Sequence, residues 1–300
     1  MNIIHGAEKE IKMSFVHQAR SALAKTILGD VYHYYKNPRA RAKYHLKKSM
    51  KAFKEEYEGY WDTIKPNREM TSLKTQFDEI NQNGFTIIND YINAEKLRLI
   101  REEVNSLPGF LSGQYTGDLT FTDRPSDGIC AVGIEGSMPE TYQVSVGNKE
   151  LHELAEALYG PDTRLSGASV LNKYGVDKLD SSNAPHWDDW RVRLKSFLYL
   201  TDVDEEHAAT IYCKGSNRNV PWRFEKDFCS VFMSHEASAG GSWWPVEAMG
   251  FEKVLCEGKA GTLVVFDAAG IHAGTNLKKD NRLMIMNMYT THLNFTHRAF

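Results

Sequence analysis

The sequence is short of the features that mark secreted, membrane and nucleic-acid-binding proteins. It has four cysteines in 300 residues, and none of them forms a C-x-x-C pair, so neither a zinc knuckle nor a redox pair is predicted. No run approaches the roughly 18 apolar residues of a membrane-spanning helix, and the first residues lack the apolar stretch of a secretory signal. The net charge of −3 gives no basic excess for nucleic-acid binding. We therefore expect a reduced, cytoplasmic protein that binds no nucleic acid.

Residues 1–70 differ in pattern from the rest of the chain. Apolar residues recur there at steps of three and four, which predicts helices, and one of these helices carries basic residues between Lys36 and Lys54. A basic amphipathic helix can contact a membrane, but such a face is more often the solvated side of a helix that packs on its own protein. We expect an N-terminal helical extension over residues 1–70 and one larger domain over residues 71–300, with membrane contact as the weaker alternative.

The larger domain changes from helices to short strands along its length. Helical spacing is present in "SLKTQFDEINQNG", which Gly84 should end, in "NAEKLRLIREEVNSL", with Asn93 as its N-cap, and in "NKELHELAEALYG". Later segments such as "RLKSFLYL", "GTLVVFD" and "RLMIMNMYTTHL" predict strands. In the first of these, leucines alternate with Lys195 and Tyr199, which predicts a half-buried strand. The pattern indicates a mainly β protein with flanking helices (α+β) and a jelly-roll core.

The segment "NAPHWDDW" places His186 two residues before Asp188, at the mouth of a predicted strand. Residues i and i+2 of an extended chain point to the same side, so this imidazole and carboxylate could bind one metal ion. They could equally form a surface pair, because chance alone gives roughly half an H-x-D per chain of this composition. The pair therefore needs a third ligand in a suitable context.

His272 and Arg282 provide that context. The segment "GTLVVFDAAGIHAGTNLKKDNR" ends a strand, turns and presents His272, and Arg282 opens another strand ten residues later. Two histidines and one aspartate are the facial set of non-haem iron(II) oxygenases, and they leave positions for a chelating keto acid and dioxygen. The planar guanidinium of Arg282 can pair with the far carboxylate of that keto acid.

With these motifs in place, the sequence from residue 72 to about residue 292 resembles the phytanoyl-CoA dioxygenase family, iron(II)/2-oxoglutarate-dependent oxygenases on a double-stranded β-helix (a jelly-roll, cupin-like barrel). The resemblance rests on "FDEINQNGFTIINDYINAEKLRLIREEV", "HWDDW", "LTDVDEEHAATIYCKGSNR" and "GTLVVFDAAGIHAGTNLKKDNR". It departs from the family at residues 207–210, where the usual N-G-P-L reads H-A-A-T, and at Lys214 and Asn217, which replace Pro and His of a P-G-S-H-R run. These departures bear on the substrate and leave the metal ligands intact.

The resemblance implies a role for each of six residues, and three further residues are candidates from the sequence itself. The implied iron ligands are His186, Asp188 and His272. The implied contacts to 2-oxoglutarate are Arg282 and, as weaker candidates, Thr275 and Asn172. The candidate contacts to the substrate are Trp190, Arg124 and Trp243.

These residues predict an enzyme that uses Fe(II), 2-oxoglutarate and dioxygen to oxidise an unactivated C–H bond of a small metabolite or natural-product intermediate, with decarboxylation of 2-oxoglutarate to succinate. Hydroxylation is the default outcome, and ring closure and desaturation belong to the same chemistry. Arginines in segments that could face the barrel mouth are compatible with an acidic substrate. Two alternatives stay open: a divalent-metal hydrolase or isomerase on a cupin-like barrel, and a non-catalytic binding protein. Arg282 favours the oxygenase, because a zinc hydrolase needs no cosubstrate anchor.

Overall fold

The computed structural model describes residues 72–112, 128–130, 135–174, 183, 185–188, 193–217 and 250–291, together with Lys51, Lys54 and Glu55. The chain divides into two compact units, one made of residues 1–63, 219–240 and 294–300 and the other of residues 64–218 and 241–293. All but three of the described residues belong to the second unit. The predicted N-terminal extension therefore lies almost wholly outside the described residues, and its boundary stays a prediction. Nowhere in the described ranges is a helix long and apolar enough to cross a membrane.

Helices cover one side of the second unit: α1 (Lys74–Asn83), α2 (Ala94–Asn105), α3 (Pro139–Val144) and α4 (Lys149–Tyr159). The predicted helices α1, α2 and α4 are confirmed, whereas the short helix α3 was not predicted. Gly84 ends α1 in the left-handed conformation, with φ +88°, and its N–H donates to the carbonyl of Ile80. The side chain of Asn93 caps α2 by accepting the Lys96 N–H at 2.8 Å.

The strands of the second unit form two antiparallel sheets. They are β1 (Phe85–Ile88), β2 (Gly128–Cys130), β3 (Thr163–Lys173), β4 (Arg193–Tyr199), β5 (Thr210–Cys213), β6 (Lys253–Cys256), β7 (Leu263–Asp267), β8 (His272–Ala273) and β9 (Arg282–Thr291). The larger sheet has the order β1-β7-β4-β9-β3-β2 and the smaller sheet the order β6-β5-β8. The described fold is thus mainly antiparallel β with a few helices, which agrees with the predicted class.

The central strands of the larger sheet are covered on both faces. One face of β4 and β9 carries Leu194 and Ile285, which pack in one cluster with the buried residues of the helices. The other face carries Phe197 and Tyr199, which pack with Tyr212 of the smaller sheet. The prediction of a half-buried strand β4 was therefore wrong, because the second sheet covers the face that alternation assigned to solvent.

Candidate metal centre

The structure brings the three predicted metal ligands together. One ligand atom from each of His186, Asp188 and His272 lies within 4.8 Å of the other two. Asp188 Oδ1 is 3.8 Å from the Nε2 atom of each histidine. Atoms at this spacing can share one ion at the roughly 2.0–2.2 Å typical of imidazole and carboxylate ligands. The donor set, two imidazoles and one carboxylate, fits a non-haem iron(II) site.

Backbone hydrogen bonds hold these ligands, which are far apart in sequence, at one place. His186 and His272 form an isolated antiparallel bridge, in which each N–H donates to the other's carbonyl at 2.9 and 2.8 Å. The Asp188 N–H donates to the carbonyl of Ala268 at 3.0 Å, directly after β7. The bridge extends the smaller sheet past β8. Extended backbone at this bridge explains why an i, i+2 spacing places the imidazole and the carboxylate together.

The turn between β7 and β8 fixes the orientation of the His272 ring. The Asp267 carboxylate accepts the Ala269 N–H at 2.9 Å, and the Gly270 N–H donates to the Asp267 carbonyl at 2.9 Å. A Cβ on Gly270 would lie only 1.9 Å from the buried hydroxyl oxygen of Tyr212, so this tight turn requires glycine. The carbonyl of Gly270 lies 2.9 Å from His272 Nδ1 and accepts a hydrogen bond from the Nδ1–H group. The lone pair of Nε2 therefore faces Asp188.

The local environment also sets the charges that a metal site needs. Burial lowers the pKa of His272 to about 3, so its imidazole is neutral at pH 7. Burial by itself raises the pKa of Asp188, but the positive charge of Lys195, with smaller contributions from other neighbours, outweighs burial and lowers this pKa to about 2. Neutral imidazole and ionised carboxylate are the forms that bind divalent metals.

Lys195 is a site residue that sequence reasoning missed. Its Nζ lies 2.5 Å from Asp188 Oδ2, and the two side chains are only 16% and 14% exposed. The alternation along β4 had placed Lys195 on the polar face of a half-buried strand. The available signal was its spacing from Phe197 and Tyr199, large aromatic residues that share its face.

The predicted cosubstrate anchor lies beside a second cation. Arg282 and Lys173 face each other in register on β9 and β3. An Arg282 amino group donates to the carbonyl of Ala208, while the Thr275 hydroxyl donates to the carbonyl of Ala209 at 2.9 Å. Lys173 Nζ in turn donates to the Thr275 carbonyl at 3.2 Å. Two cationic side chains thus lie at the same end of the paired strands, where an anionic ligand could contact both.

Asn172, the weaker cosubstrate candidate, is occupied by other contacts. It is 1% exposed, and its amide nitrogen donates to the carbonyls of Phe110 and Leu111, both at 3.0 Å. Its carbonyl oxygen accepts from Asn281 Nδ2 at 3.0 Å. Asn172 thus joins the segment after α2 to the residue that precedes β9. Its contact with the cosubstrate stays a prediction.

The three candidate substrate contacts, Arg124, Trp190 and Trp243, lie outside the described residues. Their roles stay predictions.

Comparisons with known proteins find similarity of structure and none of sequence. No family model matches the chain, and no curated protein matches it. The epimerase SnoN in complex with Fe3+, alpha ketoglutarate and nogalamycin RO matches with a TM-score of 0.53 at 19% identity, over 73% of this chain and 84% of SnoN. EctD from S. alaskensis with bound Fe matches with a TM-score of 0.52 at 14% identity, over 76% of this chain and 79% of EctD. HygX from Streptomyces hygroscopicus with nickel and 2-oxoglutarate bound matches with a TM-score of 0.50 at 14% identity, over 73% and 87% of the two chains. At these identities the likeness shows a shared fold, which is the fold of solved iron/2-oxoglutarate enzymes.

Proposed function

We propose that this chain is an iron(II)- and 2-oxoglutarate-dependent oxygenase that oxidises an unactivated C–H bond of a small metabolite or natural-product intermediate. The observation that carries the proposal is the set of His186, Asp188 and His272, of which His272 is buried and the other two are half-buried: their donor atoms converge, and His272 is neutral while Asp188 is ionised. Such a facial set leaves the remaining metal positions open to a keto acid and dioxygen.

In this proposal, the two sheets form the double-stranded β-helix of the phytanoyl-CoA dioxygenase family. Two observations support this fold. Residues of both sheets, among them Phe266 and Tyr212, pack in one apolar cluster, as in a jelly roll of two facing sheets. The segment at His186 extends the smaller sheet by its bridge to β8.

The chain's own residues hold the metal and prepare the site for the reaction. Iron(II), when bound, supplies the positions at which 2-oxoglutarate chelates and dioxygen reacts. His186 and His272 offer nitrogen donors, and Asp188 offers one anionic oxygen. The Gly270 carbonyl keeps the His272 ring oriented by its hydrogen bond to Nδ1.

Arg282 and Lys173 would hold the far carboxylate of 2-oxoglutarate. Their in-register position on β9 and β3 places two cationic side chains at the same end of the paired strands, where both could contact one carboxylate. Arginine offers a planar fork to such a group, which fixes its direction as well as its charge. Thr275, which bonds to the neighbouring carbonyl of Ala209, would line the same end of the cosubstrate site.

Apolar side chains would keep water away from the reacting centre. The Phe266 ring lies 5.1 Å from the His272 ring, centroid to centroid, and Phe197 lies 5.1 Å from Phe266. Met284, which is 2% exposed, belongs to the same cluster. A site walled in this way strengthens the electrostatic interactions inside it and limits side reactions with water.

The substrate of the proposed reaction is a small molecule. The solved SnoN complex, which shares the fold, holds nogalamycin RO beside Fe3+ and alpha ketoglutarate, and this supports a natural-product intermediate for the present chain. The proposal of an acidic substrate rests on four arginines in segments that could face the barrel mouth: Arg124, Arg164, Arg191 and Arg223.

Aerobic turnover tests the proposal. With Fe(II), 2-oxoglutarate and a panel of candidate metabolites, the protein is expected to form succinate, with a slow basal rate that a true substrate accelerates. Replacement of Asp188 by alanine should abolish succinate formation, because it removes the anionic ligand. Hydrolytic turnover of a panel member with bound zinc, and no succinate from any of them, would instead support the metal-hydrolase alternative.

A further inference from the structure

Lys195 contacts the one carboxylate oxygen of the metal site that the histidines do not face. Asp188 Oδ1 lies 3.8 Å from the Nε2 atoms of both His186 and His272. Asp188 Oδ2 lies 2.5 Å from Lys195 Nζ. The two oxygens of one carboxylate are thus divided between the metal-binding atoms and a fixed cation.

The position of Lys195 in the sheet favours its contact with Asp188. Lys195 is in register with Phe266 on one neighbouring strand and Met288 on the other. It shares its face of β4 with Phe197 and Tyr199, which are buried. A largely enclosed ammonium group needs an anionic partner to offset its lost hydration. Asp188 supplies that negative charge. Because Asp188 is itself largely enclosed, its carboxylate in turn needs the positive charge of Lys195.

The division of the carboxylate has a consequence for metal coordination. A carboxylate can bind a metal through one oxygen or through both. Three monodentate ligands leave three positions of an octahedral ion open, which is enough for one bidentate chelator and one further ligand. If Asp188 bound the metal through both oxygens, only two positions would remain, and a bidentate keto acid alone would fill them.

We propose that Lys195 is a positioning residue that restricts Asp188 to a single metal–oxygen bond and so keeps one coordination position open beside the keto acid. The benefit to catalysis rests on the proposed oxygenase function. The effect on metal coordination depends only on the contacts among Lys195, Asp188 and the two histidines.

Replacement of Lys195 by methionine tests this role with manganese(II) as the probe. Methionine keeps most of the length of lysine but has no charge, so Asp188 Oδ2 becomes free to bind the metal. We expect water-proton relaxation enhancement of the Mn(II)-bound protein to report about one-third fewer exchangeable inner-sphere waters in Lys195→Met than in the wild type. After addition of 2-oxoglutarate, the wild type should retain one such water and Lys195→Met should retain none.

Three control variants separate positioning from a general structural effect. Lys195→Arg keeps a cationic donor and should restore the wild-type water number. Lys259→Met removes an exposed lysine that lies 2.8 Å from Asp202, outside the site, and should change nothing. Lys195→Ala provides the same test if methionine prevents folding, as judged by circular dichroism of the metal-free protein.

An unchanged water number in a folded Lys195→Met or Lys195→Ala protein would overturn the proposal. So would a fall of more than tenfold in Mn(II) affinity with no change in water number, because that result would assign Lys195 a structural role alone. Failure of the oxygenase function gives a different result: 2-oxoglutarate would then displace no water from the wild-type protein, while the comparison with Mn(II) alone would still decide the role of Lys195.

Discussion

Replacement of Arg282 by glutamine is expected to weaken 2-oxoglutarate binding by at least about thirtyfold while metal affinity stays near that of the wild type. Truncating one partner of an enclosed, hydrogen-bonded charge pair costs roughly 2–5 kcal/mol, and each 1.4 kcal/mol is about tenfold in affinity. The expected loss therefore lies between about thirtyfold and several-thousandfold. Lys173, opposite Arg282 in register, should retain part of the attraction, which favours the lower end. Calorimetric titration of the Mn(II)-bound protein with 2-oxoglutarate measures the effect.

Two variants control for side effects of the Arg282 substitution. Arg282→Lys keeps the charge but loses the planar fork, so it should restore binding only in part. Arg101→Gln removes another arginine that donates to a backbone carbonyl, that of Leu200, at 2.7 Å. It should affect stability without changing 2-oxoglutarate affinity. If Arg282→Gln binds 2-oxoglutarate as tightly as the wild type, Arg282 is not the cosubstrate anchor.

Replacement of His272 by alanine is expected to lower the affinity for divalent metal by more than about a hundredfold. Loss of a group that merely orients a metal ligand costs about 10- to 100-fold in affinity, and loss of the ligand itself should exceed that range. His272 is 5% exposed, so water does not readily take the place of its Nε2 within the protein. Competition with a metal chelator at pH 7 measures the change.

His207→Ala is the matched control for the His272 substitution. His207 also lies between carboxylates, with Nδ1 2.6 Å from Asp204 and Nε2 3.6 Å from Asp280. The side chains of these two aspartates are largely exposed, however. Its removal should leave the metal affinity within about twofold of the wild type, since surface ion pairs contribute little. A His272→Ala protein that still binds metal like the wild type, or an equal loss on His207→Ala, would contradict the assigned site.

The sequence was a good guide where the signal is local. The caps at Gly84 and Asn93 and the helical spacing of three segments predicted α1, α2 and α4, because capping and amphipathic periodicity act within a few residues. The runs at β7 and β9 were recognisable as strands for the same reason. Helix α3 gave no such signal, since it is a short helix that begins at Pro139.

Contacts between distant segments were beyond sequence reasoning. Alternation along β4 separates its two faces correctly, but it does not show that a second sheet covers the face of Tyr199. For that reason Lys195 was assigned to solvent although it contacts Asp188. The contacts of Asn172 with Phe110 and Leu111 were equally invisible, because they join strand β3 to the segment after α2.

The metal ligands form an intermediate case. Their residue types and spacing suggested a shared site, but His186 and His272 are brought together by a backbone bridge that no local pattern encodes. The backbone N–H of Asp188 is held in turn by the Ala268 carbonyl, and its carboxylate is held by Lys195. Sequence thus indicated which atoms could bind a metal, and the fold determines how they converge.

Anaerobic optical titration shows whether the protein binds Fe(II) and 2-oxoglutarate in one complex. The protein is loaded with Fe(II) under exclusion of oxygen, 2-oxoglutarate is added, and the visible spectrum is recorded. We expect a metal-to-ligand charge-transfer band that needs both Fe(II) and 2-oxoglutarate, is absent with zinc(II) in place of iron, and disappears in His272→Ala. A folded wild-type protein that binds Fe(II) but gives no such band at saturating 2-oxoglutarate would contradict the proposed oxygenase function.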